Sequence, residues 1–300
     1  MKKKTYLFAL MAMVLTLGSC SDNENGIGGE TSKYITVSTS IGNMTRVATD
    51  AKGGQTFEEG DEISVYAWTG DATVAPETRE RVVNNAINKL TNGSWISNPQ
   101  MLWKNNRDKH YFIGVYPISA ISDLSAGEYT FDETKQVESD LLVAVNKDGL
   151  SYNVDEQQPV PLTFTHVMAK LAVNLTYKNQ WGGIPTVEKV VVGNAAKEAT
   201  INYLTKVVTP STTAKEDFSL PEITENTKYV SVIIPQEDVK QLTIVIGGKN
   251  FVYDNGTPFK LESGKITTVN LEVGRDEIKL GDVKITNWED GSTFSGEALN

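Results

Sequence analysis

A chain of 300 residues, 39% apolar and 22% charged, can bury roughly three quarters of its unfolded surface, so it closes a core without a metal or disulfide and has room for one large or two ordinary domains. Its 28 Lys and Arg against 38 Asp and Glu leave a formal charge of −10, which argues against a nucleic-acid partner, because phosphate neutralisation needs clustered Lys and Arg. One cysteine excludes internal disulfides and cysteine-based zinc sites, and two histidines exclude a histidine-rich metal centre.

Lys2, Lys3 and Lys4 precede an apolar run from Tyr6 to Leu17 that is too short to span a bilayer as a helix. Residues 1–19 read as an export signal and stand outside the fold. The signal ends Leu17-Gly18-Ser19-Cys20, which resembles the bacterial lipobox: small residues fit a narrow peptidase cleft, and the Cys20 thiolate takes the lipid. An ordinary signal with a chance cysteine is the other reading, but Cys20 is the sole cysteine and stands where a lipobox needs it. Three acyl chains would give stable anchoring where one alone is marginal. Removal of residues 1–19 takes away three lysines, so the mature chain of 281 residues carries 25 − 38 = −13. Residues 20–33 lack apolar periodicity and read as a flexible tether. Asp22 and Glu24 within it resemble the acidic stretch of surface-exported lipoproteins of Bacteroidota.

From Tyr34 onward the apolar period is two, and no 3.6-residue stripe stands out. Ile35, Val37, Thr39 and Ile41 alternate with Thr36, Ser38 and Ser40. Further strands are predicted at EISVYAW (62–68), HYFIGVY (110–116), DLLVAV (140–145), KLAVNLTY (170–177), VEKVVVG (187–193), YVSVIIP (229–235), LTIVIGG (242–248) and ITTVNLEV (266–273). Asn92-Gly93 and Asn255-Gly256 lie between apolar runs and read as hairpin turns. Thr78 to Leu90 fits either a short helix or a strand leading into Asn92-Gly93. The polar, proline-punctuated stretch Asp155 to Pro161 precedes a long β-run, 161–177, expected to leave one sandwich and enter the next. The predicted class is all-β, with two tandem antiparallel β-sandwich domains at 34–162 and 163–300.

Chemistry-bearing motifs are scarce. The sequence has no H-E-x-x-H, C-x-x-C, G-x-S-x-G, phosphate loop or dinucleotide fingerprint. A serine triad would need His110, expected at a strand start on the surface, or His166, expected on a half-buried strand; a packed, hydrogen-bonded imidazole explains each better. Glu58-Glu59-Asp61 and Asp276-Glu277 read as solvated turns. Catalytic residues, metal ligands and cofactors are therefore all expected to be none.

Landmarks along the mature chain carry a resemblance. Thr45-Arg46 follows the first strand. Phe57 to Tyr66 (FEEGDEISVY) is similar to an F-x-x-G-D-x-I-x-V segment. Phe112 to Pro117 follows Trp103, and Asp140-Leu141-Leu142 precedes Leu162 to Leu171 (LTFTHVMAKL), similar to an F-x-H-x-x-A/S-K-L strand. Ile233-Ile234-Pro235-Gln236, Ser263-Gly264-Lys265 and Ile285-Thr286-Asn287-Trp288 come later. In this order and behind a lipobox, the chain resembles the fimbrillin family of Bacteroidota. The resemblance implies a two-domain, transthyretin-like sandwich pilin, carried to the outer membrane as a lipoprotein through Cys20. It implies an arginine-specific protease that cuts after the first strand, between Arg46 and Val47, removing lipid and strand together. It also implies other fimbrial subunits as partners, one of which supplies a replacement strand, and a host or bacterial surface receptor.

The residues permit this. Tyr34 to Ile41 has a clear apolar face, and Gly42 to Gly54 is polar, glycine-bearing and apolar-poor, fit to extend into a protease cleft. Ile278, Leu280, Val283 and Ile285 are the candidate donor-strand residues, with Gly281-Asp282 interrupting their alternation as a bulge would. A normal closing strand explains the same segment equally well, just as an exposed loop arginine explains Arg46. A surface glycan-binding lipoprotein of a polysaccharide-uptake system is the alternative function. It would need an exposed platform among Trp68, Trp95, Trp103, Trp181 and Trp288.

Overall fold

Segments in which apolar and polar residues alternate, or apolar runs are short, form most of the strands. The structure, a computed structural model, describes residues 33–42, 56–152, 158–254 and 256–288. Its strands are β1 (Val37–Ile41), β2 (Glu62–Thr69), β3 (Arg81–Thr91), β4 (Ser94–Asn98), β5 (His110–Tyr116), β6 (Gly127–Thr130), β7 (Leu142–Leu150), β8 (Val160–His166), β9 (Ala169–Tyr177), β10 (Val187–Ala196), β11 (Glu198–Asn202), β12 (Val207–Pro210), β13 (Lys215–Leu220), β14 (Glu222–Thr224), β15 (Lys228–Ile233), β16 (Gln241–Ile246), β17 (Lys249–Asp254), β18 (Lys265–Val273) and β19 (Ile278–Asn287). Helical geometry among the described residues is confined to two short 3-10 turns, Thr78–Glu80 and Asn179–Trp181, and to Trp288 just after the last strand. The fold is all-β.

The strands form a seven-stranded sheet, β1-β8-β7-β5-β2-β3-β4, a five-stranded sheet, β14-β15-β9-β18-β19, a four-stranded sheet, β13-β10-β16-β17, and a three-stranded sheet, β12-β11-β6. The expected antiparallel pairing holds except at two places: β1 runs parallel to β8, and β9 runs parallel to β18. Each parallel pair joins strands far apart in the chain, which leaves length for the crossover that parallel pairing requires. The run 161–177 divides between two sheets. Sheet membership changes at Val167-Met168, after the end of β8.

The ambiguous segment Thr78 to Leu90 resolves into a 3-10 turn followed by β3. Asn92 and Gly93, with φ of 52° and 73°, turn β3 into β4, the left-handed pair that a two-residue hairpin needs. Asn255-Gly256 is not a hairpin: β17 ends at Asp254, the next strand begins at Lys265 in another sheet, and Asn255 itself lies outside the described residues. The tight turn here is Gly247-Gly248, φ 57° and 71°, joining β16 to β17. The strand read from the sequence over 242–248 thus ends at Ile246, before these two glycines. In β3, Asn85 adopts φ 55° at a register shift against β2. The extra residue changes parity, so Val83 and Ala86 both face the core.

The seven-stranded sheet has two apolar faces. On β2, Ile63, Val65 and Ala67 point into one cluster with Ile35, Val37, Trp95, Met101, Phe112, Leu162 and Phe164, all from this sheet and its connections. Tyr66 and Trp68 point the opposite way, into a larger cluster that includes Leu171, Val190, Ile244 and Val269 of the later sheets. This two-sided burial explains why β2 reads as a nearly unbroken apolar run.

Candidate assembly site

The first described strand is held from one side and one end. β1 pairs with β8 in parallel register, Val37 opposite Val160 through Ile41 opposite Phe164. Val160 N–H donates to the Thr36 carbonyl at 2.8 Å, and Gly42 N–H donates to the Phe164 carbonyl at 2.7 Å. Just before β1 the chain crosses to another segment: Ile35 N–H donates to Met101 O at 2.9 Å, and Trp103 N–H donates to Lys33 O at 3.1 Å. β1 sits at the sheet edge, where strands are most readily exchanged.

Its inward side chains plug the enclosed cluster. Ile35 is 2% exposed and Val37 6%. Burying these two contributes on the order of 3–6 kcal/mol at 1.5–3 kcal/mol each. Thr39 accepts a hydrogen bond from Trp95 Nε1 at 3.0 Å, and Ile41 packs half-buried at the end of the row. Phe57 meets Phe164, Trp95 and Tyr116 edge-on at 5.1, 5.3 and 5.3 Å between ring centroids. β1 therefore lies in an apolar trough walled by β8, Trp95 and the Met101–Trp103 segment.

At the other terminus, Ile278, Leu280, Val283 and Ile285 lie on β19, opposite Val273, Leu271, Val269 and Thr267 of β18. β19 is an edge strand of the five-stranded sheet. Gly281-Asp282 forms the expected interruption, since three residues of β19 span two of β18 there. Leu280, Val283 and Ile285 are 37–39% exposed, far less covered than Ile35 and Val37. The two candidate strands lie in different sheets. Cys20, Arg46 and Val47 lie outside the described residues.

Both histidines are buried. His110 begins β5 as expected but is not on the surface. Its Nε2 accepts from Lys104 N–H at 3.1 Å, so its Nδ1 carries the proton and donates to the Asp108 carbonyl at 3.1 Å. Burial, with Lys104 nearby, lowers its pKa below the usual 6.5. His166 donates from Nδ1 to Asp140 at 2.7 Å. Its ring lies flat on Trp288, centroids 4.1 Å apart and planes 7° apart, and Lys170 Nζ stands 4.1 Å from the same indole centroid. Burial pushes the Lys170 pKa down, with Asp140 opposing the shift. Sequence reasoning named His166, Lys170 and Trp288 as landmarks without bringing them together.

Trp68, Trp95 and Trp288 are buried, and Trp103 and Trp181 half-buried, so none of the five stands fully exposed. A surface cleft of about 750 Å³ opens beside Leu102 and Trp103. The charged groups lining it are engaged: Asp71 accepts from Thr73, Arg79 pairs with Glu77, Glu80 accepts from the Glu77 N–H, Arg81 donates to Asn84 and to the Ile121 and Ser122 carbonyls, and Lys104 donates to Thr69.

The solved structures of two proteins proposed to act in cell adhesion share this fold. One, from Bacteroides uniformis, has TM-score 0.65 and 19% identity over 86% of this chain and 100% of that one. The other, from Bacteroides ovatus, has TM-score 0.62 and 18% identity over 85% and 98%. Fim1C of Bacteroides uniformis, proposed to be a fimbrium subunit, is 25% identical over 316 residues covering 97% of each chain. The fimbrillin-like family profile matches residues 45–288, and the chain belongs to that family.

Proposed function

We propose that the chain is a subunit of a cell-surface fimbria, exported as a lipoprotein on Cys20 and joined to other subunits by strand replacement. Cleavage between Arg46 and Val47 by an arginine-specific protease separates the lipid and β1 from the rest. The trough is then left with the unpaired edge of β8 and empty side-chain sites, which recruit another strand. The family membership and the relatives proposed as fimbrium and adhesion proteins support this reading. The observation that carries it is the contrast in burial between the two terminal strands. Ile35 and Val37 are 2% and 6% exposed in the trough, whereas Leu280, Val283 and Ile285 are 37–39% exposed on β19. For Leu280, Val283 and Ile285, moving from the second environment to the first gains about 1 kcal/mol per side chain, which favours the linked state. The acceptor trough lies on the seven-stranded sheet and the donor on the five-stranded sheet, and we assign them to tandem sandwich halves, 34–162 and 163–300, whose junction falls within β8. The surface receptor then meets the assembled fimbria, and the same protein has no enzymatic role.

The test is limited proteolysis of soluble residues 21–300 with a trypsin-like protease at low dose. The reading expects loss of residues up to Arg46 followed by ladders of high mass. Monomers that persist after clean removal of the segment contradict a polymerising subunit.

A further inference from the structure

β19 is held to its sheet in an uneven way. Ile278 is half-buried against the core, but Leu280, Val283 and Ile285 stay 37–39% exposed, and the ladder shifts register at Gly281-Asp282. Near its start, Glu277 is tied to Lys178 by a pair whose carboxylate is half exposed. Deep burial comes only at the far end, where Trp288 is 4% exposed. The site that receives the indole is built by other elements: Asp140 just before β7, His166 closing β8, and Lys170 in β9. Trp288 N–H also donates to the Gly264 carbonyl at 3.1 Å. The ladder to β18 runs from Ile278 to Asn287 and Asn270 donates to Asp282 at 2.6 Å, but the aromatic at the end is the one deeply buried side chain of this segment, so the strand opens more readily when that aromatic leaves.

We propose that Trp288 is the latch that keeps β19 on its own sheet, so that the carboxy-terminal strand reaches a second copy of this chain only after the indole leaves the His166–Lys170 site. The purpose given to release rests on the strand-replacement reading, whereas the latch does not. β8 carries both controls. Its Phe164 carbonyl accepts from Gly42 at the end of β1, and two residues later His166 stacks on Trp288. Trp288 Nε1 has no hydrogen-bond partner among the described residues, so the stacked ring and the backbone N–H, not the indole N–H, do the holding.

Hydrogen exchange of the full chain, read by mass spectrometry, tests the latch. Trp288→Ala is expected to speed exchange of amides 278–287 by at least about tenfold, as loss of one buried, stacked aromatic implies, while β16 amides stay within about threefold. Trp288→Phe, which keeps a ring and drops the N–H, is expected to retain most of the protection. Unchanged exchange in β19 of the alanine variant, or an equal rise throughout the chain, overturns the latch, and equal loss in both variants overturns the stacking basis for it. Mixing the alanine variant with wild-type chain cut after Arg46 then separates the two ideas. Faster assembly supports the donor role, and a freed β19 with no assembly overturns that role and leaves the latch standing.

Discussion

Trp95 Nε1 donates to Thr39 Oγ1 at 3.0 Å, although the strands that carry them, β4 and β1, occupy opposite edges of the seven-stranded sheet. The sheet has curled until its edges meet, and the enclosed apolar cluster is the interior of that curl. β1 is thus the closing stave of a nearly complete barrel. A barrel has no free edge while it is closed and two when one stave is missing, which gives removal of the first strand its assembly consequence.

The inward row of β1 sets how firmly the stave is held. Val37→Asp places a carboxylate where the native side chain is 6% exposed, at a cost of at least about 2 kcal/mol for an unpaired buried group. Because β1 is an edge strand, the expected result is faster hydrogen exchange confined to residues 35–41 and the facing amides of β8, with the later sheets unaffected.

The floor of the trough depends on a small residue. Gly114 lies beside Ala144, and Ala144 beside Phe164, across β5, β7 and β8. A Cβ on Gly114 would meet Phe164 Cζ at 2.7 Å and Leu162 Cδ1 at 3.1 Å. Gly114→Ala should cost about 1–3 kcal/mol through overpacking, measured by urea denaturation, and should loosen β1 through the displaced Phe164.

His110 gives the fold an acid-side weakness. Its pKa is lowered in the folded state, chiefly by burial, so the unfolded chain takes up its proton first. Stability from this residue is fully present above about 6.5 and is lost as pH falls from there toward the lowered folded value. Denaturation of wild type and His110→Gln between pH 7.5 and 5 should show a steeper decline in the wild type, by at most about 1.4 kcal/mol per pH unit. Parallel curves contradict the assignment.

The strands legible in the sequence were those with one wet face or two dry ones. β5, β9, β10 and β18 stand where alternation or short apolar runs put them. β11, β13 and β14 were missed because segments such as KEDFSL and EIT carry too little apolar pattern to stand out. Partner choice was not legible at all, because the parallel pairing of β1 with β8 depends on how the whole sheet curls. His110 was misplaced because its neighbours Asp108 and Lys109 suggested water, whereas Trp103 and Phe112 enclose that corner. His166, Lys170 and Trp288 were visible as letters, but their meeting required knowing that β8 and β9 part at Val167-Met168 just where the end of β19 arrives.

The central claim is that the segment carrying β1 can be replaced while the rest of the chain keeps its fold. It is tested most directly by cutting soluble protein after Arg46, adding an isotopically heavy peptide of residues 33–46, and following the bound mass by native mass spectrometry. One heavy peptide per chain should displace the light one, and a peptide carrying Val37→Asp should not. If the light segment stays bound and never exchanges, or leaves only as the whole chain unfolds, the first strand is an ordinary part of the core and the account fails.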